Sequence, residues 1–233
     1  MSMASSFCCC CCFPCASSES SSEREALNTQ HSRQCYEDTR KDLTSKGEAL
    51  SFKRVNMPEV DTIFADIAKT FNKSQADYWA IQEAILGLKE NYSCSPACSL
   101  SVCVEKIQQE NGDCGVQVHM EGYRFWLTAK KKEVPKKLKL ALQQVGELNR
   151  ATIGVMSTKT QLQEMICSVL QSQDKMAERA RDANFEYLDW IRLQGNLREN
   201  IEKINLVKKH SKKYVEEANN VLSEMSKSAN LTM

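Results

Sequence analysis

Histidine, proline and glycine are scarce in this chain, with three, four and eight occurrences in 233 residues. Each scarcity excludes something. His31, His119 and His210 are scattered, and the chain contains no HExxH run, no glycine-rich phosphate loop and no nucleophile elbow. Without a set of acid, base and nucleophile, the expectation is a non-enzymatic protein that needs no cofactor. Proline is missing between Pro58 and Pro96 and again after Pro135, so long helices can run unbroken there. No apolar run approaches the ~20 residues that cross a bilayer, so no spanning helix is expected.

Cysteine breaks the pattern. Of twelve, five are consecutive (Cys8, Cys9, Cys10, Cys11 and Cys12), and Cys15 follows after Phe13 and Pro14. Adjacent cysteines do not reach the Cα and Cβ geometry of a disulfide. Zinc ligands come as pairs separated by two to four residues, converging tetrahedrally, which a continuous run does poorly. A signal peptide needs a positive n-region, whereas residues 1–23 hold no Lys or Arg and Pro14 interrupts the apolar stretch. Ser2 stands where N-myristoylation requires glycine. What remains is S-acylation of these six thiols. Each buried CH₂ then contributes ~0.8 kcal/mol, and two anchoring signals suffice for stable attachment. An inert low-complexity tail is the alternative. On this reading the sequons at Asn72, Asn91 and Asn230 belong to a cytosolic protein and stay unglycosylated.

The other six cysteines (Cys35, Cys94, Cys98, Cys103, Cys114 and Cys167) are scattered, as suits free thiols in a reducing compartment. Cys94, Cys98, Cys103 and Cys114, with His119 near, were weighed as zinc ligands. Their spacing misses paired knuckles, so the expectation is no metal, buried or free thiols, and a half-exposed strand histidine.

Charge is near balance overall but uneven. Residues 58–128 carry ten acidic and five basic groups, and residues 129–233 carry 13 acidic and 19 basic. The C-terminal part is therefore expected to face something negative. Lys130, Lys131, Lys132, Lys136, Lys137 and Lys139 crowd ten residues. They fit an anionic lipid surface, a nuclear or nucleic-acid patch, or a solvated helix start. Without interleaved aromatics or arginines, nucleic acid is disfavoured, and the neighbouring thiol chemistry favours lipid.

Along the chain, residues 1–15 read as the anchor and residues 16–57 as a serine-rich disordered linker with little to bury. Pro58 opens a helix, residues 58–92, whose stripe includes Val60, Ile63, Phe64, Ile67, Phe71, Tyr78, Ile81, Ile85 and Leu88. Residues 97–129 alternate apolar and polar about Asn111-Gly112 and Glu121-Gly122, which predicts a three-stranded antiparallel β-meander. Its first strand, around Leu100, Val102 and Val104, competes with a helix. Residues 133–228 predict long helices with a break at Ser172–Asp174 or at Gly195-Asn196. A stripe of Leu197, Ile201, Ile204, Val215, Ala218, Leu222 and Met225 has heptad spacing, interrupted by the polar Lys208 and Ser211. The fold class is thus mainly α, a helical bundle or coiled coil with a small antiparallel β-meander after the first helix.

The segment Leu142-Gln-Gln-Val145-Gly146-Glu147 resembles the short death-motif helix of pro-apoptotic Bcl-family proteins, in which Leu, Gly and an acidic residue lie on an amphipathic helix. The resemblance spans about a dozen residues and implies docking into a partner's groove. It departs at Asn149, where a bulky apolar residue belongs, and in having Glu for Asp.

Together these features predict an S-acylated, membrane-associated adaptor or tether at the cytoplasmic face of a membrane. Acyl chains hold it there, and helical stripes bind a partner or a second copy. The alternatives are a soluble coiled-coil partner-binding protein in the cytoplasm, a zinc-dependent nuclear or nucleic-acid binder, and an apoptosis-related amphipathic-helix protein.

Overall fold

The computed structural model describes residues 49–182 and 187–230. The six N-terminal thiols therefore lie outside the described residues. Among those described are four α-helices and one two-stranded antiparallel sheet: α1 (Pro58–Asn91), α2 (Leu100–Glu110), β1 (Val116–Glu121), β2 (Arg124–Ala129), α3 (Lys136–Asp182) and α4 (Tyr187–Asn230). A single 3₁₀ turn, Gly112–Cys114, joins α2 to β1.

α1 starts where expected. Pro58 occupies its first turn with Glu59 and Asp61, whose carboxylates suit the positive end of the helix dipole, and Lys89 lies in its last turn. Its buried positions Val60, Phe64, Ile67, Phe71, Ser74, Tyr78 and Ile81 step alternately by four and three residues. α3 keeps the same rhythm from Leu138 through Val145, Thr152 and Leu162 to Ala180 apart from exposed Lys159 and Gln173, and α4 keeps it from Leu193 to Ser228. Each helix therefore buries one seam, as heptad spacing requires.

α3 runs antiparallel to α1. Arg179 near its end reaches Glu59 at 3.3 Å, and Gln144 near its start accepts a hydrogen bond from Asn91 at 2.9 Å. α4 runs in the same sense as α1, with Tyr214 stacked on Phe71 and Tyr78 at centroid distances of 5.8 and 4.4 Å. α1, α3 and α4 thus share one apolar core. Neither break read from the sequence interrupts a helix: α3 runs to Asp182 and α4 from Tyr187. At the first of those, the Ser172 hydroxyl donates back to the Ser168 carbonyl of its own turn (2.7 Å), so helix continues. At the second, Asn196 donates to the Arg54 carbonyl from an intact helix.

The expected first strand of the meander is helix α2, and the sheet has two strands. Ser99 caps α2 by accepting the Val102 N–H (3.3 Å), and Leu100, Cys103, Val104 and Ile107 bury one helical face while Val102 is 51% exposed. Alternation of Leu100, Val102 and Val104 suggested strand, but the buried set follows a period of three to four. The hairpin pairs Val116 with Ala129 through to Glu121 with Arg124, turning at Gly122-Tyr123. Gly122 has φ 57°, a conformation that favours glycine at the first position of a two-residue loop. Val118, Phe125 and Leu127 face inward, and the Phe125 N–H donates to Asn149 of α3 (3.0 Å).

Residues 49–57, the last part of the stretch read as linker, lie against the helices. Leu50 and Val55 are buried, Phe52 stacks on Phe64 at 5.0 Å, and the Asn72 amide bonds both the N–H and the carbonyl of Leu50. Asn200 does the same for Lys53, accepting at 3.0 Å and donating at 2.7 Å. Two such amide clamps satisfy backbone groups that an extended strap otherwise leaves unpaired.

Candidate functional site

The six lysines expected at a lipid surface link β2 to α3. Backbone N–H groups of Lys130 and Lys131 donate to the Cys114 carbonyl (2.9 and 3.4 Å), and Lys139 N–H donates to Pro135 (2.9 Å), which starts the helix. The structure divides them. Lys137 bonds Glu110 at 2.6 Å and lies 4.2 Å from the Tyr92 ring centroid, so its ammonium is held within the fold. The Glu110 bond raises its pKa. The Lys130 stem packs over Gly115, whose φ of 61° and missing Cβ admit it. Lys131, Lys132, Lys136 and Lys139 are exposed and make no ion pair among the described residues.

The outer face of the hairpin leads into this segment. Strand alternation puts Arg124, Trp126 and Thr128 outward, with Lys130 next in the same register. Trp126, 39% exposed, stacks on His119 across the strands with centroids 5.5 Å apart, and His119 Nε2 lies 2.8 Å from the Thr128 hydroxyl. Tyr123 projects from the turn. The alternation of Tyr123, Phe125 and Leu127 in the sequence points to the inward face, taken by Phe125 and Leu127, and misses this outer one. The signal was there in Arg-Phe-Trp-Leu-Thr, whose alternate residues must face the other way. The result is a basic surface with an indole at its edge, a composition suited to the bilayer interface.

Cys94, Cys98, Cys103, Cys114 and Cys167 are all free. Burial and the neighbouring Cys94 push Cys103 up to about 12, and burial followed by Cys94 also raises Cys98. Thiols held neutral are poor nucleophiles and poor metal ligands. Among the described residues no set of three His, Cys, Asp or Glu side chains is arranged to hold a metal ion. Cys114 lies under the hairpin's start, and His119 is engaged by Trp126 and Thr128.

Burial, then Lys213 and Lys209, lowers the His210 pKa, so its imidazole stays neutral beside Tyr214. A cleft of about 350 Å³ between α1 and α3 gathers Asp77, Glu83, Glu147 and Arg150. Burial raises the Asp77 pKa, with Lys73 opposing, and its Oδ2 lies buried against Gly154 without a hydrogen-bond partner. In the death-motif segment, Val145 is fully buried and Leu142 half-buried, so the apolar side that would dock is covered by the chain's own core.

Comparison with known protein families, with curated proteins and with solved structures finds no match for this chain. Within the described residues no helix is long and apolar enough to cross a membrane.

Proposed function

We propose that this protein is a non-enzymatic adaptor or tether, held at the cytoplasmic face of a membrane by S-acylation of Cys8–Cys12 and Cys15 and steadied there by its basic hairpin surface. The observation that carries this reading is the exposed face of Trp126 and Arg124 continuing into Lys131, Lys132, Lys136 and Lys139. Against an anionic leaflet each such lysine contributes ~1 kcal/mol. Four together are equivalent to a second anchoring signal beside the acyl chains. On this reading α1, α3 and α4 act as a three-helix bundle, which their shared apolar core supports. Partners would then dock on outer surfaces at a local concentration raised by the anchor.

The test is acyl exchange and liposome flotation on three forms: the native chain, a variant with all six N-terminal cysteines changed to serine, and a Lys131, Lys132, Lys136, Lys139→Gln variant. The native chain is expected to float with liposomes containing anionic lipid. The serine form should float weakly and lose that binding in salt, and the glutamine form should show reduced flotation. Equal flotation of the serine form and the native chain removes the acyl anchor.

A soluble partner-binding reading draws on a different surface. Tyr187, Leu188 and Ile191 at the start of α4 are exposed apolar side chains, and the Tyr187 ring stacks only on Trp190 of the same helix among the described residues. A cytoplasmic pool bound to another protein through this end would favour it.

A further inference from the structure

The heptad seams of α1, α3 and α4 lapse together at one level of the molecule. The seam position is Ser74 in α1, Lys159 in α3, where Val155 and Leu162 precede and follow it, and Ser211 in α4, between Val207 and Tyr214. Ser211 is the one position of the α4 seam between Leu193 and Ser228 that is only half-buried. Other polar seam residues have local partners: Asn200 holds the Lys53 backbone, and Thr152 donates to the Leu148 carbonyl at 2.8 Å. At the shared level the seams leave space. All three residues line a cleft of about 370 Å³ between the helices, a volume in the ~300–1,000 Å³ range of small-molecule sites.

The walls of this cleft are of two kinds. Leu162, Ile166 and Val215 make its floor apolar. Lys159 from α3 and Lys208 and Lys212 from α4 stand at its exposed rim, with Glu216 as the one carboxylate among the lining residues. Glu216 lies 3.8 Å from Lys212, which leaves Lys159 and Lys208 without an ion pair among the described residues. The Ser211 hydroxyl donates to the Lys208 carbonyl (3.1 Å). Lysine stems can lie along apolar walls and still present their ammonium groups to water at the mouth.

We infer that this cleft binds a single-chain amphiphile with a carboxylate head, a medium-chain fatty acid, with its chain on the Leu162–Ile166–Val215 floor and its head between Lys159 and Lys208. A hydrocarbon chain is what an apolar floor rewards, at roughly 25 cal/mol per Å² removed from water. A compact anion matches ammonium groups supplied by two different helices, each a point charge free to turn toward it. Nucleotides fit poorly, since the lining has no aromatic to stack on a base and no arginine fork for phosphate. The site stands independently of the acyl anchor: its residues belong to the helical core, and its occupant is a free acid.

Titration calorimetry on the unacylated full chain tests this with decanoate, decanol and sulfate as probes. One decanoate should bind per chain below its micellar range, and decanol at least tenfold more weakly. Sulfate should neither bind nor compete. A Lys159→Gln, Lys208→Gln double variant, changed only at exposed positions, should lose at least tenfold in decanoate affinity and nothing for decanol. Ser211→Leu, which restores the apolar seam, should abolish binding while its circular dichroism and thermal midpoint show an intact fold. The inference is overturned if decanoate does not bind, if the lysine variant binds it as tightly as the native chain, if decanol binds equally well, if sulfate alone competes, or if folded Ser211→Leu still takes up decanoate.

Discussion

Tyr214→Ala is the sharpest probe of how this core is built. The ring is 3% exposed and sits between Tyr78, at 4.4 Å, and Phe71, at 5.8 Å, so a single side chain joins α4 to α1. Truncating a buried aromatic to alanine costs about 3–5 kcal/mol, including the cavity left behind. The two stacked pairs, each contributing roughly 0.5–1.5 kcal/mol beyond area, place this site in the upper part of that range. Against a typical total of about 5–15 kcal/mol, the variant should lose a large share of its stability. Urea denaturation followed by circular dichroism measures it. Tyr214→Phe keeps the stack and removes only the hydroxyl that bonds Gln75, so it should cost about 1–3 kcal/mol. Burial pushes the Tyr214 phenol up to about 12 from an ordinary value of 10. The folded state therefore holds its proton where the unfolded chain releases it, so this contribution is complete below pH 10 and fades as pH rises toward 12. A loss under about 1 kcal/mol for Tyr214→Ala would refute the packing of α4 on α1.

Three further outcomes follow from particular contacts. Bonds from Lys227 and then Ser101 hold Glu224 down to about 2, so its stabilising effect is present above the ordinary carboxylate value of 4.5 and is lost as pH falls toward 2. Glu224→Gln should flatten that limb of the acid-denaturation curve; an unchanged limb contradicts the assignment. Gly154→Ala gains about 0.5–1 kcal/mol of helix propensity but forces a methyl against the Asp77 carboxyl, at about 1–3 kcal/mol for overpacking. It should destabilise on balance, and adding Asp77→Ala should restore most of the loss, as thermal melts of the two variants will show. Asn200→Ala removes both hydrogen bonds to Lys53, at roughly 0.5–1.5 kcal/mol each. Trypsin should then cut at Lys53 and Arg54 faster than in the native chain, and equal cutting would mean the clamp does not hold the strap.

Much of the helical architecture was legible because it depends on periods and punctuation. Pro58 and the absence of proline before Pro96 gave α1 its start and its unbroken length, and the second and third segments of the expected meander form the hairpin. α2 was misread because Leu100, Val102 and Val104 alternate as a strand would, whereas the buried helical face is Leu100, Cys103, Val104 and Ile107, capped by Ser99. The strap was misread for another reason. Leu50, Phe52 and Val55 are too few to form a core alone; they pack on the helices while Asn72 and Asn200, distant in sequence, satisfy the backbone of Leu50 and Lys53. The candidate lipid surface was half legible. Six lysines stood out as a cluster, but only packing separates Lys137, committed to Glu110 and Tyr92, from the four left free.

By itself the sequence determined that this protein is mainly helical, that its N-terminus carries a run of thiols, and that a basic segment follows the hairpin. These are local properties, set by side-chain type and spacing. Tertiary structure decided the phase of the buried seam in α4. In α4 the seam read from sequence included Ile201 and Val215, whereas the buried one runs through Val207, Tyr214 and Val221. Amphipathic spacing leaves a choice of phase around a helix, and only contact with the neighbouring helices fixes it. The same contact brings Ser74, Lys159 and Ser211 to one level. Each is an ordinary polar residue in its own helix, and only the packing of three helices turns them into a cleft.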